Sequence, residues 1–137
     1  MMRASLVTLM CAFMVGCGGG EDPTSTPNPT PVPATLTQLH EEVFVASCNF
    51  AACHANGGGG LTLGTIEDAY ADLVNVESAA KAGAIRVIPG DVDGSYLIQK
   101  LRGDADIVDD AMPPPTGLDA ERLAWVESWI AAGAQNN

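Results

Sequence analysis

Residues 48–54 read Cys48-Asn49-Phe50-Ala51-Ala52-Cys53-His54. Two cysteines, the second followed directly by a histidine, are the groups needed to attach haem covalently, for which the usual spacing is C-x-x-C-H. Here four residues separate the cysteines. On this reading Cys48 and Cys53 form thioethers with the haem vinyl groups, and His54, forced against the same face of the macrocycle, is the proximal iron ligand. The chain has four cysteines, two histidines and five methionines. Cys11, Cys17, Met1, Met2, Met10 and Met14 all fall within the first seventeen residues. Downstream, Met112 is the only methionine, in Ala111-Met112-Pro113-Pro114-Pro115. A Met/His haem needs one ligand of each kind, which makes Met112 the candidate partner of His54.

The same residues admit other chemistry. Cys48 and Cys53 can form a disulfide in a haem-free exported protein acting as a structural or partner-binding module. Cys48, Cys53, His54 and Met112 are also a soft ligand set suited to copper, although adjacent Cys53 and His54 bind one ion awkwardly. A thiol oxidoreductase calls for C-x-x-C at a helix start in an α/β frame, and that frame is absent. His40, beside Glu41 on an amphipathic stretch, reads as a solvated surface residue rather than a distal ligand.

Residues 1–17 read as an address. Arg3 precedes an apolar stretch of about a dozen residues, too short for an ordinary membrane-spanning helix. The stretch ends in Met14-Val15-Gly16-Cys17, which resembles a bacterial lipoprotein box, with Met14 where leucine is commoner. The resemblance implies cleavage before Cys17, diacylglycerol on its sulfur, and export. The expected location is the periplasmic side of a bacterial membrane or the cell surface. Gly18 carries no inner-membrane signal, so the outer membrane is mildly preferred. Residues 18–34, rich in Gly, Pro and Thr, have no apolar periodicity and read as a tether. Extended at about 3.1 Å per residue, it reaches on the order of 50 Å. Residues 35–137 are then one small domain of roughly 100 residues.

The periodicity of that domain is helical. Thr35 caps a first helix with Leu36, Leu39, Val43 and Phe44 on one face and Glu41 and Glu42 toward water. Thr65 opens a second helix with Ile66, Tyr70, Leu73 and Val74 inward. Ser95 or Asp93 opens a third, with Tyr96, Leu97 and Leu101 as its stripe and Gly103 as its stop. Asp119 caps a last helix, with Leu118 and Leu123 as a hydrophobic staple and Leu123, Val126 and Ile130 recurring beside Trp125 and Trp129. Pro89-Gly90 breaks the run of residues 85–88, and no alternating strand pattern is found. The expected class is all-α, with about four helices around a covalent haem.

Charge narrows the partners. Loss of residues 1–17 removes Arg3 and leaves 17 acids against five bases, net −12. Nucleic acid is not expected as a partner, whereas a basic redox protein and plain solubility both agree with the charge.

The order of helix, Cys-x₄-Cys-His, Gly-rich loop, two short helices, Met-Pro and a Trp-bearing last helix resembles a class I c-type cytochrome domain, in particular the cytochrome c-like lipoproteins of environmental bacteria. The resemblance is carried by Gly60-Leu61-Thr62-Leu63, by the stretch from Arg86 to Leu97, by Met112-Pro113 and by the ending from Trp129 to Ala134, and covers about residues 36–134. It implies that the first and last helices pack beside the haem edge, with His54 and Met112 on opposite sides. One haem c, one-electron transfer to a redox partner protein and no small-molecule substrate or enzymatic turnover follow from it. Arg86 is then a candidate contact for a haem propionate, the alternative being a surface ion pair. The family's proline after the motif, whose carbonyl orients the histidine, is replaced by residues 57–60, all glycine. A glycine carbonyl can take that role, or the loop serves only as a flexible surface segment.

Overall fold

Thr35 starts the first helix through its hydroxyl, which accepts a hydrogen bond from the Gln38 amide at 3.1 Å and so satisfies one of the donors that a helix start leaves unpaired. The computed structural model describes residues 33–137; the expected signal, Cys17 and nearly all of the expected tether lie outside the described residues. Among the described residues there are four α-helices and no β-strand: α1 (Leu36–Leu39), α2 (Ile66–Leu73), α3 (Tyr96–Arg102) and α4 (Ala120–Ala131). No helix among them is long and apolar enough to cross a membrane.

The first helix departs from its expected winding. After Leu39 it continues without a break as a π-helix, His40–Cys48, and the Asn49 amide bonds back to the Phe44 carbonyl, five residues earlier, at 2.7 Å. The apolar spacing from Leu36 to Phe44 fits ordinary α-helix equally well, so nothing in the sequence signals the wider turn. Its faces are nevertheless as expected: Leu36, Leu39, Val43 and Phe44 are buried, and Glu41 and Glu42 are exposed. The remaining amides at the start of α1 are taken by the chain's other end. Leu36 N–H donates to Asn137 Oδ1 (3.0 Å) and Thr37 N–H to the Asn137 carbonyl (2.9 Å). Ala34, expected in the tether, is buried, and its N–H donates to Ser128 Oγ of α4 at 3.1 Å. The packed domain therefore includes Ala34.

Thr65 caps α2 by accepting from the Asp68 amide at 3.1 Å. The face of α2 turned to the core is centred on Ala69 and Leu73, with Ile66, Tyr70 and Val74 half-buried at its margins. Between α2 and α3 the chain makes only isolated bridges, Val74 with Val87 and Glu77 with Ile85, before Pro89-Gly90 turns it. Ser95 stands at the start of α3 but does not cap it. Its fully buried hydroxyl donates to the Asp91 carbonyl (2.6 Å) and accepts from Ile88 N–H (2.9 Å), tying the turn rather than the helix. Ile98 joins Tyr96 and Leu101 in the core, while Leu97 is half-buried. Gly103 ends α3 in the left-handed region at φ 74°, where glycine carries no Cβ penalty.

Asp119 caps α4 by accepting from Arg122 N–H at 3.0 Å, and Arg122 returns an ion pair to it at 2.7 Å. Val126, Trp129 and Ile130 are buried, with Leu118, Leu123 and Trp125 packed against them. Trp129 meets the requirement of a buried indole by donating to the Gln135 carbonyl at 2.8 Å. Full burial of each such side chain is worth about 1.5–3 kcal/mol. The core thus joins α1 and α4, with α2 and α3 closing its remaining sides around one space left unfilled.

Candidate cofactor site

The π-helix ends at Cys48, and the cysteine's own carbonyl folds the motif back on itself. It accepts from Phe50 N–H (3.0 Å) and from His54 N–H (3.2 Å), while the Phe50 carbonyl accepts from Cys53 N–H (2.8 Å) and Ala55 N–H (3.2 Å). The four intervening residues are thereby closed into a turn. Phe50, Ala51 and Ala52 stand exposed on its outside, so the spacer between the cysteines forms a surface turn. Both cysteines are half-buried and free. Burial foremost, and then the neighbouring Cys53, push the Cys48 thiol up to about 11.

His54 is oriented by the glycine loop. Its Nδ1 lies 2.7 Å from the Gly58 carbonyl oxygen. A carbonyl can only accept, so Nδ1 carries the proton, and in the neutral ring Nε2 holds the lone pair. Gly58 must approach the motif closely to do this: a Cβ there would stand 1.9 Å from the Cys53 carbonyl oxygen, so no side chain fits. Gly57, Gly59 and Gly60 all have positive φ, between 66° and 78°, conformations that side-chain-bearing residues adopt at a cost. The run of four glycines is thus required by the turn, and the carbonyl role expected of one of them falls to Gly58.

Cys48, His54 and Met112 line one pocket, whose wall is otherwise mostly apolar and includes Val43, Phe44, Leu63 and Leu101. Its cavity volume is about 160 Å³, and it is partly open to solvent. Met112 is held at the pocket by its own N–H, which donates to the Lys100 carbonyl at 2.8 Å, and packs half-buried against the core. Cys53 lies outside the lining.

Arg86 also lines the pocket and is buried at 8 % exposure. It is not the surface ion pair that its alternative reading expected. Its guanidinium donates to the Asp72 carbonyl (2.6 Å) and the Gly60 carbonyl (2.7 Å), and no salt bridge among the described residues includes it. A buried cation bonded only to neutral carbonyls retains its full charge at the pocket wall. Lys100, Tyr96 and Asp109 also line the pocket, and no sequence motif marks them as site residues.

No three of His, Cys, Asp and Glu converge as metal ligands among the described residues, so Cys48, Cys53 and His54 do not form the core of a copper-type site. His40 is not a freely solvated surface group: it is half-buried, its Nε2 is shielded from water without a hydrogen-bond partner, and it is not on the pocket wall. Comparison with protein-family models, curated proteins and solved structures found no match to this chain.

Proposed function

We propose that the chain is a monohaem c-type cytochrome, a one-electron carrier held outside the cytoplasm by a lipid on Cys17. The observation that carries this reading is the meeting of Cys48, His54 and Met112, drawn from two distant stretches of chain, on the wall of one apolar pocket. The residues suit the group. Cys48 supplies a thiol on the pocket wall, and Cys53, half-buried just outside the lining, would supply the second for covalent attachment. His54 presents Nε2 as its available lone pair because Gly58 holds the Nδ1 proton, the arrangement expected of a metal-ligating imidazole. Met112 supplies a soft thioether, and Arg86 supplies an unneutralised cation for a propionate. Val43, Phe44, Leu63 and Leu101 give the pocket apolar walls against which a flat macrocycle could pack.

Haem, when bound, supplies an Fe(III)/Fe(II) couple, and a Met/His ligand pair raises its potential relative to bis-His ligation. With His54 and Met112 both engaged, no position is left for a substrate, so the protein's work is electron transfer without enzymatic turnover. The acidic surface suits a basic redox partner.

The test is expression of the chain together with haem-maturation machinery. A band that stains for peroxidase activity after denaturing electrophoresis is expected. A colourless product carrying a Cys48–Cys53 disulfide would overturn the reading. In the loaded ferric protein, Met112→Ala is expected to abolish the near-infrared thioether-to-iron band, and survival of that band would remove Met112 as the ligand.

A further inference from the structure

Met112 lies in a long connection, residues 103–119, that has no helix of its own. A thioether is a weak ligand, so its usefulness depends on how far the connection is ordered before anything binds. On the far side of Met112 the chain offers little to hold. Pro113, Pro114 and Pro115 have no N–H, and the tie found there is Gly117 N–H to the Pro113 carbonyl at 2.8 Å, internal to the loop. The anchoring must come from the residues before Met112.

It comes largely from one residue. The Lys100 carbonyl on α3 accepts from Met112 N–H at 2.8 Å. The Lys100 ammonium reaches the same loop and donates to the carbonyls of Val108, at 2.7 Å, and Asp110. Lys100 thus binds positions 108, 110 and 112, alternate residues along the run leading to the sulfur. Four aspartates lie nearby in sequence, at 104, 106, 109 and 110, yet no salt bridge among the described residues includes Lys100. Its charge is directed at backbone carbonyls, which fixes the path of the chain rather than a side chain. The other two anchors act upstream: Lys81 donates to the Asp106 carbonyl at 2.8 Å, and the Tyr96 hydroxyl accepts from Val108 N–H at 2.9 Å.

We propose that Lys100 is the positioning residue for Met112, clamping the loop so that the thioether is presented at the pocket before haem is bound. The ligand role of Met112 rests on the function proposed above; the clamp itself is measurable without haem. In the full chain made without maturation machinery and labelled at the methionine methyl groups, the Met112 signal is assigned by its loss in Met112→Leu. Lys100→Leu is expected to move that signal at least halfway toward the position of free methionine. Lys100→Arg, which can again donate to two carbonyls, should restore it, and Lys81→Leu should leave it in place. The Trp129 indole N–H signal reports that each variant remains folded. If Lys100→Leu unfolds, Lys100→Gln, whose shorter amide cannot span both carbonyls, replaces it with the same expected shift.

In the haem-loaded protein, Lys100→Leu should weaken the near-infrared thioether-to-iron band at least twofold, with recovery in Lys100→Arg. An unmoved Met112 methyl signal in folded Lys100→Leu, or an equal displacement in Lys81→Leu, would overturn the clamp. Failure of the wild-type chain to take up haem would overturn the proposed function while the methyl signal still decides the role of Lys100.

Discussion

Cys48 shows how the pocket acts on a single residue. Its thiol ionises near 9 in an unconstrained chain and near 11 in the fold, because burial disfavours the thiolate and Cys53 adds to the effect. The folded state therefore keeps a proton that the unfolded state has already lost. Stability from this group is fully present below about 9 and falls as pH rises toward about 11. A difference of this size corresponds to about 2–3 kcal/mol. Denaturant unfolding of the haem-free chain across this alkaline range should show the decline, and Cys48→Ser should flatten it. An identical slope in the variant would place the effect on other groups. Arg86 is the complementary case: a guanidinium in the pocket wall is always charged, and its hydrogen-bond partners are neutral carbonyls.

At the level of elements, the glycine turn and the π-helix do the positioning. Gly58 connects them, since its carbonyl holds His54 and a Cβ added to it would stand 1.9 Å from the Cys53 carbonyl oxygen. Gly58→Ala forces backbone apart and should cost at least the 1–3 kcal/mol, roughly, of ordinary overpacking. The denaturation midpoint of the haem-free chain should fall accordingly, and the ¹⁵N signals of the His54 ring should show loss of the fixed Nδ1–H tautomer. Gly64→Ala is the control, because no atom stands within 4 Å of its added Cβ. Equal behaviour of the two variants would remove the turn's special role. The π-helix is a winding that is rare and often found at functional sites; here it delivers Cys48 to the pocket wall.

For the whole molecule, charge and anchorage matter most. Each of the five basic residues from Lys81 onward is already engaged, Arg102 with Asp93 and Glu127, Arg122 with Asp119, and Lys81, Arg86 and Lys100 with backbone carbonyls. The acid in excess of these pairs favours solubility. The proposed anchor is tested by labelling with a fatty-acid analogue in a bacterial host. The wild-type chain should take up label and sediment with membranes, and Cys17→Ala should lose both. Labelling that persists in Cys17→Ala would reject Cys17 as the lipidation site. Each buried methylene of such a chain contributes about 0.8 kcal/mol, so more than one acyl chain is needed for stable attachment.

The amino-acid sequence by itself determined what is local. Thr35, Thr65 and Asp119 cap helices and Gly103 stops one because a cap is settled within three or four residues. The buried faces of the first and last helices follow from spacing for the same reason. Ser95 looked like a fourth cap, but its hydroxyl is engaged by Asp91 and Ile88 across a turn whose path depends on the packed neighbours. The pocket itself was decided by tertiary structure. Cys48 and His54 reach it through a hydrogen-bonded turn, Met112 through a loop held on α3, and Arg86 through carbonyls of two other segments. No sequence periodicity links these positions, because their meeting depends on contacts between segments far apart in the chain.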